Sequence, residues 1–175
     1  MESSNTPKTR KDWAILSWNE AQSEVGLLLK QQLFVRFDEY KLGNKRADII
    51  AYKIFDNKIL FGIIEVKTFK KISPSIENKA MEQACNYLSK YFDIVENNSK
   101  WGNKAKIYFV ATIFTNDYPA SFSDIYQNKY TKLIPKILVD EERVYLISCR
   151  PRELIPNLRR LKLLNYDQNK LDKFF

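Results

Sequence analysis

The chain has 175 residues, of which 45% are hydrophobic and 14% aromatic, and its formal net charge is +8. This length and composition indicate one folded globular domain over residues 1–175, with a flexible polar segment at residues 1–10. They exclude an intrinsically disordered chain and, because no apolar run reaches about 18 residues, a membrane-spanning helix.

The chain contains no histidine, which removes several classes of catalytic site. Ser-His-Asp triads, Cys-His pairs and histidine-dependent zinc sites are excluded. The two cysteines are too few for a zinc site built from thiolates alone, and the four glycines form no nucleotide-binding loop. The remaining chemistry is that of carboxylates, lysine and a hard divalent cation.

The surplus of 29 Lys and Arg over 21 Asp and Glu favours a polyanionic partner. Basic side chains release counterions when they bind the phosphates of nucleic acid. Many basic proteins bind no nucleic acid, so this charge is informative only beside a site that acts on phosphate. The amino-terminal residues carry no secretory signal pattern, and Cys85 and Cys149 lie in apolar segments as buried thiols do, which indicates a cytoplasmic protein.

Hydrophobic periodicity predicts an α/β fold. A helix from about residue 11 to residue 33 comes first, and Gly26 within it indicates close packing. The next predicted elements are strands at 34–37, 47–55 and 59–66, a helix from Ser73 to about Val95, and strands at 106–114 and 143–149. Pro135 and Pro156 predict short or broken helices in the last third. This order indicates a mixed central β-sheet flanked by helices.

The second and third strands are predicted to form a hairpin with Asp56 and Asn57 as its two-residue turn. In that register Asp48 lies opposite Glu65, and opposed residues share one face of the sheet with Cβ atoms roughly 4.5–5.5 Å apart. Lys67 is two residues beyond Glu65, so the strand period puts it on the same face. Two carboxylates and one ammonium group are therefore expected at one end of the hairpin.

These three charges lie in strands that are otherwise apolar, where an unpaired charge is costly. A divalent cation such as Mg²⁺ would relieve the repulsion between the carboxylates. Lys67 could orient or deprotonate a water molecule, and it could stabilise the charge that develops on a phosphate. Together these groups are the minimum for metal-assisted phosphodiester hydrolysis.

Asp48 followed by Glu65-Val66-Lys67 resembles the D…(D/E)-x-K signature of the PD-(D/E)XK nuclease superfamily. This superfamily includes many restriction endonucleases, junction resolvases and RecB-like nucleases. The chain departs from the signature at Ala47, which replaces the proline that names the family. The resemblance implies a restriction-endonuclease-like core. It also implies Mg²⁺, replaceable by Mn²⁺, bound by Asp48, Glu65 and the main-chain carbonyl of Val66, with Lys67 as the catalytic lysine.

Two further features belong to this resemblance, which covers about residues 15 to 115. Family members often carry a glutamate on the first helix that reaches the metal; Glu24 is preferred here over Glu20, with a solvated helix surface as the alternative. Gln83 and Tyr87 resemble the Gln-x-x-x-Tyr motif of RecB-like branches. Gln83 is then expected in the catalytic site and Tyr87 against nucleic acid, the alternatives being a helix-surface amide and a core aromatic.

The resemblance implies a Mg²⁺-dependent endonuclease that hydrolyses DNA, in preference to RNA. Lys70 and Lys71 follow Lys67 closely and are expected to contact the DNA backbone. Arg46 either contacts phosphate or pairs with a local carboxylate such as Asp48. One domain carries one such site, so cutting both strands would need a homodimer, a higher homo-oligomer or successive nicks. The alternative function is a non-catalytic nucleic-acid-binding module or subunit on the same fold.

Overall fold

The computed structural model describes residues 17–42, 45–68, 73–115, 122–124 and 128–164. In chain order they form α1 (Trp18–Gln31), β1 (Val35–Leu42), β2 (Lys45–Ile54), β3 (Lys58–Lys67), α2 (Pro74–Glu96), β4 (Ala105–Phe114), β5 (Phe122–Asp124), α3 (Lys136–Asp140), β6 (Val144–Cys149) and α4 (Leu154–Arg160). Short 3₁₀ turns lie at Ser99–Trp101, Asn128–Leu133 and Pro151–Glu153. Among these described helices, none combines the length and the apolar composition needed to cross a membrane.

The described strands form one six-stranded sheet in the order β1-β2-β3-β4-β6-β5. The strands β1, β2 and β3 are antiparallel neighbours, β3, β4 and β6 run parallel, and β5 is antiparallel to β6. The helix α2 connects the parallel strands β3 and β4 and packs on one face of the sheet, whereas α1 and α4 pack on the other. The predicted mixed sheet flanked by helices is confirmed.

Each face of the sheet has its own hydrophobic core, and β3 contributes to both. Its buried apolar residues alternate between the two cores, with Leu60, Ile64 and Val66 on the α1 face and Phe61 and Ile63 on the α2 face. Successive side chains of a strand point to opposite faces, so the odd-numbered residues Glu65 and Lys67 lie on the α2 face.

Serine caps fix where the first two helices begin. The Ser17 hydroxyl accepts a hydrogen bond from the Glu20 amide at 3.2 Å, and the Ser73 hydroxyl accepts one from the Ile76 amide at 3.2 Å. Pro74 occupies the first position of α2, as its fixed φ favours. The predicted bounds of α2 are therefore confirmed within about a residue. The predicted start of α1 near residue 11 and the segment 1–10 lie outside the described residues.

The differences from the predicted elements concern the sheet edges and the last third. Strand β1 runs through Leu42 rather than ending at residue 37, because an edge strand can expose polar residues such as Asp38 and Glu39. Strand β5 has three residues, too few to show a period, and was not predicted. The helices α3 and α4 are short, as the two prolines indicated.

Gly62 in β3 lies directly beneath the ring of Phe109 in β4. A Cβ atom added here would lie 2.0 Å from Phe109 Cζ, and that ring is fully buried. We therefore expect Gly62→Ala to lower the free energy of unfolding by about 1–3 kcal/mol, as overpacked core substitutions do. Urea denaturation followed by circular dichroism measures this loss.

The control is Gly26→Ala in α1. Its added Cβ would meet the end of the Arg36 side chain, which confirms the close packing expected at Gly26 but can move aside. The better helix propensity of alanine, up to about 1 kcal/mol, would offset that movement. Equal losses in the two variants would contradict the packing argument at Gly62.

Candidate active site

The hairpin of β2 and β3 has the predicted turn and register. The Phe55 amide donates to the Lys58 carbonyl at 2.8 Å, which closes the two-residue turn. From there the antiparallel ladder continues to Ile49 opposite Ile64. The next pair in this register is Asp48 and Glu65.

Asp48 and Glu65 replace main-chain pairing with side-chain hydrogen bonds at the end of this ladder. The Val66 amide donates to Asp48 Oδ2 at 2.7 Å, and the Asp48 amide donates to Glu65 Oε1 at 3.3 Å. The two carboxyl groups are also close enough that the negative charge of Asp48 raises the pKa of Glu65. The structure therefore brings together the carboxylates that the hairpin register placed opposite each other.

The ladder on the other side of β2 is also interrupted at Asp48. Strand β1 pairs with β2 through Asp38 opposite Ile49 and through Tyr40 opposite Ala47, and the intervening residues Glu39 and Asp48 are not paired. Glu39 has a φ of 52°, which is unusual for a residue in a strand. Within the described strands, the main chain of Asp48 thus belongs to neither ladder.

Glu65 is almost fully buried, with 1% of its surface exposed. Burial, followed by the negative charge of Asp48, raises the pKa of the Glu65 carboxyl group to about 8, and the positive charge of Lys67 opposes this rise. At neutral pH and without a cation, Glu65 therefore holds a proton. A divalent cation would take the place of that proton when it binds the pair.

Lys67, Gln83 and Tyr87 form a chain of polar contacts from β3 to α2. Lys67 Nζ lies 3.8 Å from Glu65 Oε2 and donates to Gln83 Oε1 at 2.8 Å. Gln83 Nε2 donates to the Tyr87 hydroxyl at 3.1 Å. The ammonium group can only donate, so the oxygen of the Gln83 amide must face Lys67, and the bond to Tyr87 holds the amide in that orientation. The ammonium group is thus held beside the carboxylate pair while 23% of the Lys67 side chain stays exposed.

Tyr87 lies in the core, as its core-aromatic alternative expects, and its contact with nucleic acid stays a prediction. Only 6% of its surface is exposed, and it packs in the hydrophobic core under α2. Its hydroxyl is already the acceptor for Gln83. The helical spacing of Gln83 and Tyr87 was visible in the sequence, but the hydrogen bond between them was not predicted.

The structure does not bring Glu24 or Glu20 to the carboxylate pair. Glu24 Oε1 accepts from Arg152 Nε at 2.8 Å, and α1 packs on the sheet face opposite α2. In the described part of the chain, no group of three or more Cys, Asp or Glu residues is placed to hold a metal ion. Sequence reasoning missed this arrangement because Arg152 is 128 residues away from Glu24 and no local pattern links them.

Arg46 pairs with Glu39 rather than with Asp48. Arg46 Nη1 lies 3.2 Å from Glu39 Oε1, and both side chains are about half exposed. Arg46 therefore has a local carboxylate partner, and that partner is Glu39, which lies beyond the predicted end of β1. The other two residues predicted to contact DNA, Lys70 and Lys71, lie outside the described residues.

The donor set at the end of the hairpin fits a hard cation such as Mg²⁺. Mg²⁺ takes oxygen ligands, usually one or two carboxylates together with water and substrate phosphate. Asp48, Glu65 and the Val66 carbonyl would hold it. The raised pKa of Glu65 supports this fit, because it reflects the burial of Glu65 beside the negative charge of Asp48, which the positive charge of Lys67 offsets only in part.

The residues of the D…(D/E)-x-K signature thus lie together, with Lys67 beside the acidic pair and in contact with Gln83. The geometry does not by itself identify a superfamily. Comparison with models of known protein families finds none that matches this chain, and comparison with curated proteins finds no match either. Membership of the PD-(D/E)XK superfamily therefore stays a prediction made from Asp48, Glu65 and Lys67.

Proposed function

We propose that this protein is a Mg²⁺-dependent nuclease that hydrolyses phosphodiester bonds of DNA. The observation that carries the proposal is the pair of half-buried Asp48 and buried Glu65, with the ammonium group of Lys67 beside it. Buried charged groups are often no more stabilising than apolar residues of the same size, so stability alone gives little reason for them. Binding a cation that in turn binds phosphate would explain why acidic residues are present here.

Each residue of the site has a separate role in the proposed hydrolysis. A bound divalent cation supplies Lewis acidity toward phosphate and water. Asp48 and Glu65 would hold it, and the Lys67 ammonium group would orient the attacking water or stabilise charge on the phosphate. Gln83 holds Lys67 in place, so little reorganisation is needed during the reaction. The attacking water loses a proton to solvent as its oxygen bonds to phosphorus, one P–O ester bond breaks, and the departing oxygen takes up a proton.

The net charge of +8 supports a polyanionic substrate. The preference for DNA over RNA and the endonucleolytic action rest on the family resemblance. The alternative is a non-catalytic nucleic-acid-binding module, in which acidic groups beside a phosphate would only repel it. The Asp48 and Glu65 pair therefore favours the enzyme over the binding module.

Metal-dependent cleavage is the direct test. We expect the wild-type protein to cut plasmid, linear duplex or single-stranded DNA in Mg²⁺ or Mn²⁺ and to cut none in EDTA. Asp48→Asn should lower the cleavage rate by at least about 100-fold, because even residues that only support a metal ligand commonly cost 10–100-fold. Gel electrophoresis of timed reactions measures both effects.

Asp93→Asn is the matched control, since Asp93 is an exposed carboxylate on α2. It should cleave at the wild-type rate. If the wild-type protein binds DNA but cuts none of these substrates with either cation, the non-catalytic module is the better description. If Asp48→Asn cleaves like the wild type, the assignment of the metal ligands is wrong.

A further inference from the structure

A groove of about 490 Å³ lies along the outer side of α2, next to the candidate active site. Four of its lining residues are Lys79, Gln83, Asn86 and Lys90. They stand at positions i, i+4, i+7 and i+11 of one helix, so they form a continuous stripe on its surface. We call these four residues the α2 stripe.

The α2 stripe is polar and carries a positive charge at each end. Lys79, Asn86 and Lys90 are exposed, and Gln83 is half-buried. Within the described part of the chain, neither lysine forms an ion pair. Among the described residues that line the groove, Glu82 is the one acidic residue, and the two lysines outweigh it. This surface is suited to a ligand with spaced negative charges rather than to an apolar one.

Gln83 joins the α2 stripe to the candidate active site, because its Oε1 accepts from Lys67 Nζ at 2.8 Å. Along the helix, Lys79 and Lys90 are separated by roughly 16 Å, at 1.5 Å per residue. Neighbouring phosphates of a duplex strand rise only about 3.4 Å along the duplex axis, so two lysines this far apart reach different phosphates. The two lysines can therefore contact phosphates of one strand on either side of the position that faces Gln83.

We propose that the α2 stripe binds the sugar-phosphate backbone of a nucleic-acid strand and leads that strand to Lys67. This inference rests on the proposed nuclease function and deepens it by naming the surface that receives the substrate. Lys79 and Lys90 bind phosphates, and the Asn86 amide donates to the backbone between them. The contacts are to phosphate and sugar, so they favour no base sequence.

The test is the affinity of labelled duplex and single-stranded DNA, measured by fluorescence anisotropy in EDTA over a range of salt concentrations. The double variant Lys79→Ala/Lys90→Ala should bind about eightfold more weakly per lost contact at 0.1 M salt. The slope of log affinity against log salt should fall by about 1.8 on duplex or about 1.4 on single strands. A loss confined to one DNA form supports the proposal and identifies the form that the stripe binds.

The matched control is Lys30→Ala/Arg159→Ala, which removes the same charge from exposed positions on α1 and α4, across the sheet from α2. Its affinity should stay within about twofold of wild type, and its salt slope should be unchanged. Circular dichroism establishes that both double variants are folded. Equal weakening in the two, or wild-type affinity in Lys79→Ala/Lys90→Ala, would overturn the proposal.

Failure of this proposal and failure of the nuclease proposal are distinguishable, because binding in EDTA needs no catalysis. A wild-type protein that binds DNA through the α2 stripe but cuts none in Mg²⁺ or Mn²⁺ would refute the nuclease and leave the binding surface standing. A wild-type protein that cuts DNA, with affinity unchanged by Lys79→Ala/Lys90→Ala, would refute the surface alone.

Discussion

Lys67→Ala is expected to lower the rate of Mg²⁺-dependent DNA cleavage by about 10²–10⁴-fold, the range for losing a group that assists proton transfer. The Lys67 ammonium lies beside Glu65 and is held there by Gln83. DNA affinity should fall by about eightfold or less at 0.1 M salt, because at most one phosphate contact is lost. Single-turnover cleavage of a labelled duplex and anisotropy in EDTA separate the two quantities.

Two tyrosine variants of α2 serve as controls for this prediction, one with a small expected effect and one with none. Tyr87→Phe keeps the ring in the core but removes the acceptor of Gln83 Nε2, so the amide is freer to turn away from Lys67. Losing one hydrogen bond, worth about 0.5–1.5 kcal/mol, should lower the rate about 2–10-fold. Tyr91→Phe, one helical turn further along, loses a hydroxyl that donates to the Tyr40 carbonyl and should cleave normally. Wild-type cleavage by Lys67→Ala would remove Lys67 from the mechanism.

The stability of the metal-free protein is expected to fall as pH rises between about 5 and 8. The pKa of Glu65 in the folded protein is about 8, raised from 4.5, so over this range the folded state holds a proton that the unfolded state has lost. The stabilising contribution is complete below pH 4.5 and is lost as pH rises through about 8. The slope from this one group approaches about 1.4 kcal/mol per pH unit. At this chain length that is about 3–6 °C of melting temperature per pH unit.

Glu65→Gln is the control, because its amide cannot ionise. The melting temperatures of Glu65→Gln and of the wild type in EDTA should therefore diverge as pH rises. The variant should become the more stable protein above about pH 7. In the wild type, Mg²⁺ must displace the Glu65 proton, so its affinity should rise about tenfold per pH unit between 6 and 8. Calorimetry in buffers of different ionisation enthalpy measures the released proton. Parallel pH dependence of stability in the two proteins would refute the assigned titration of Glu65.

The parts of this structure that the sequence could predict are those fixed by neighbours along the chain. The Asp56-Asn57 turn sets the register of the hairpin, and that register alone places Asp48 opposite Glu65. The Ser73 cap sets the start of α2 in the same local way, and strand period then puts Lys67 on the face that α2 covers. Each of these steps needs only local geometry.

The parts that could not be predicted depend on contacts between distant segments or on the orientation of a side chain. The partner of Glu24 is one example, because Arg152 reaches it only after β6 and the following turn are in place. The orientation of the Gln83 amide is another, since helical spacing predicts a neighbour in Tyr87 but not which end of the amide faces Lys67. The position of Glu39 within β1 is a third example. An edge strand with exposed polar residues has no clear hydrophobic period, so the end of β1 could not be predicted.

The interruption of both ladders at Asp48 has a consequence for hydrogen exchange. The Asp48 amide is protected by the Glu65 carboxyl group rather than by a neighbouring strand, and its bond length of 3.3 Å is long. Exchange of an amide proton with solvent requires that its hydrogen bond open, and bonds outside the regular ladder open more readily. The deuterium uptake of this single amide therefore follows the charge and ligation of Glu65, which makes it an internal probe of the acidic pair.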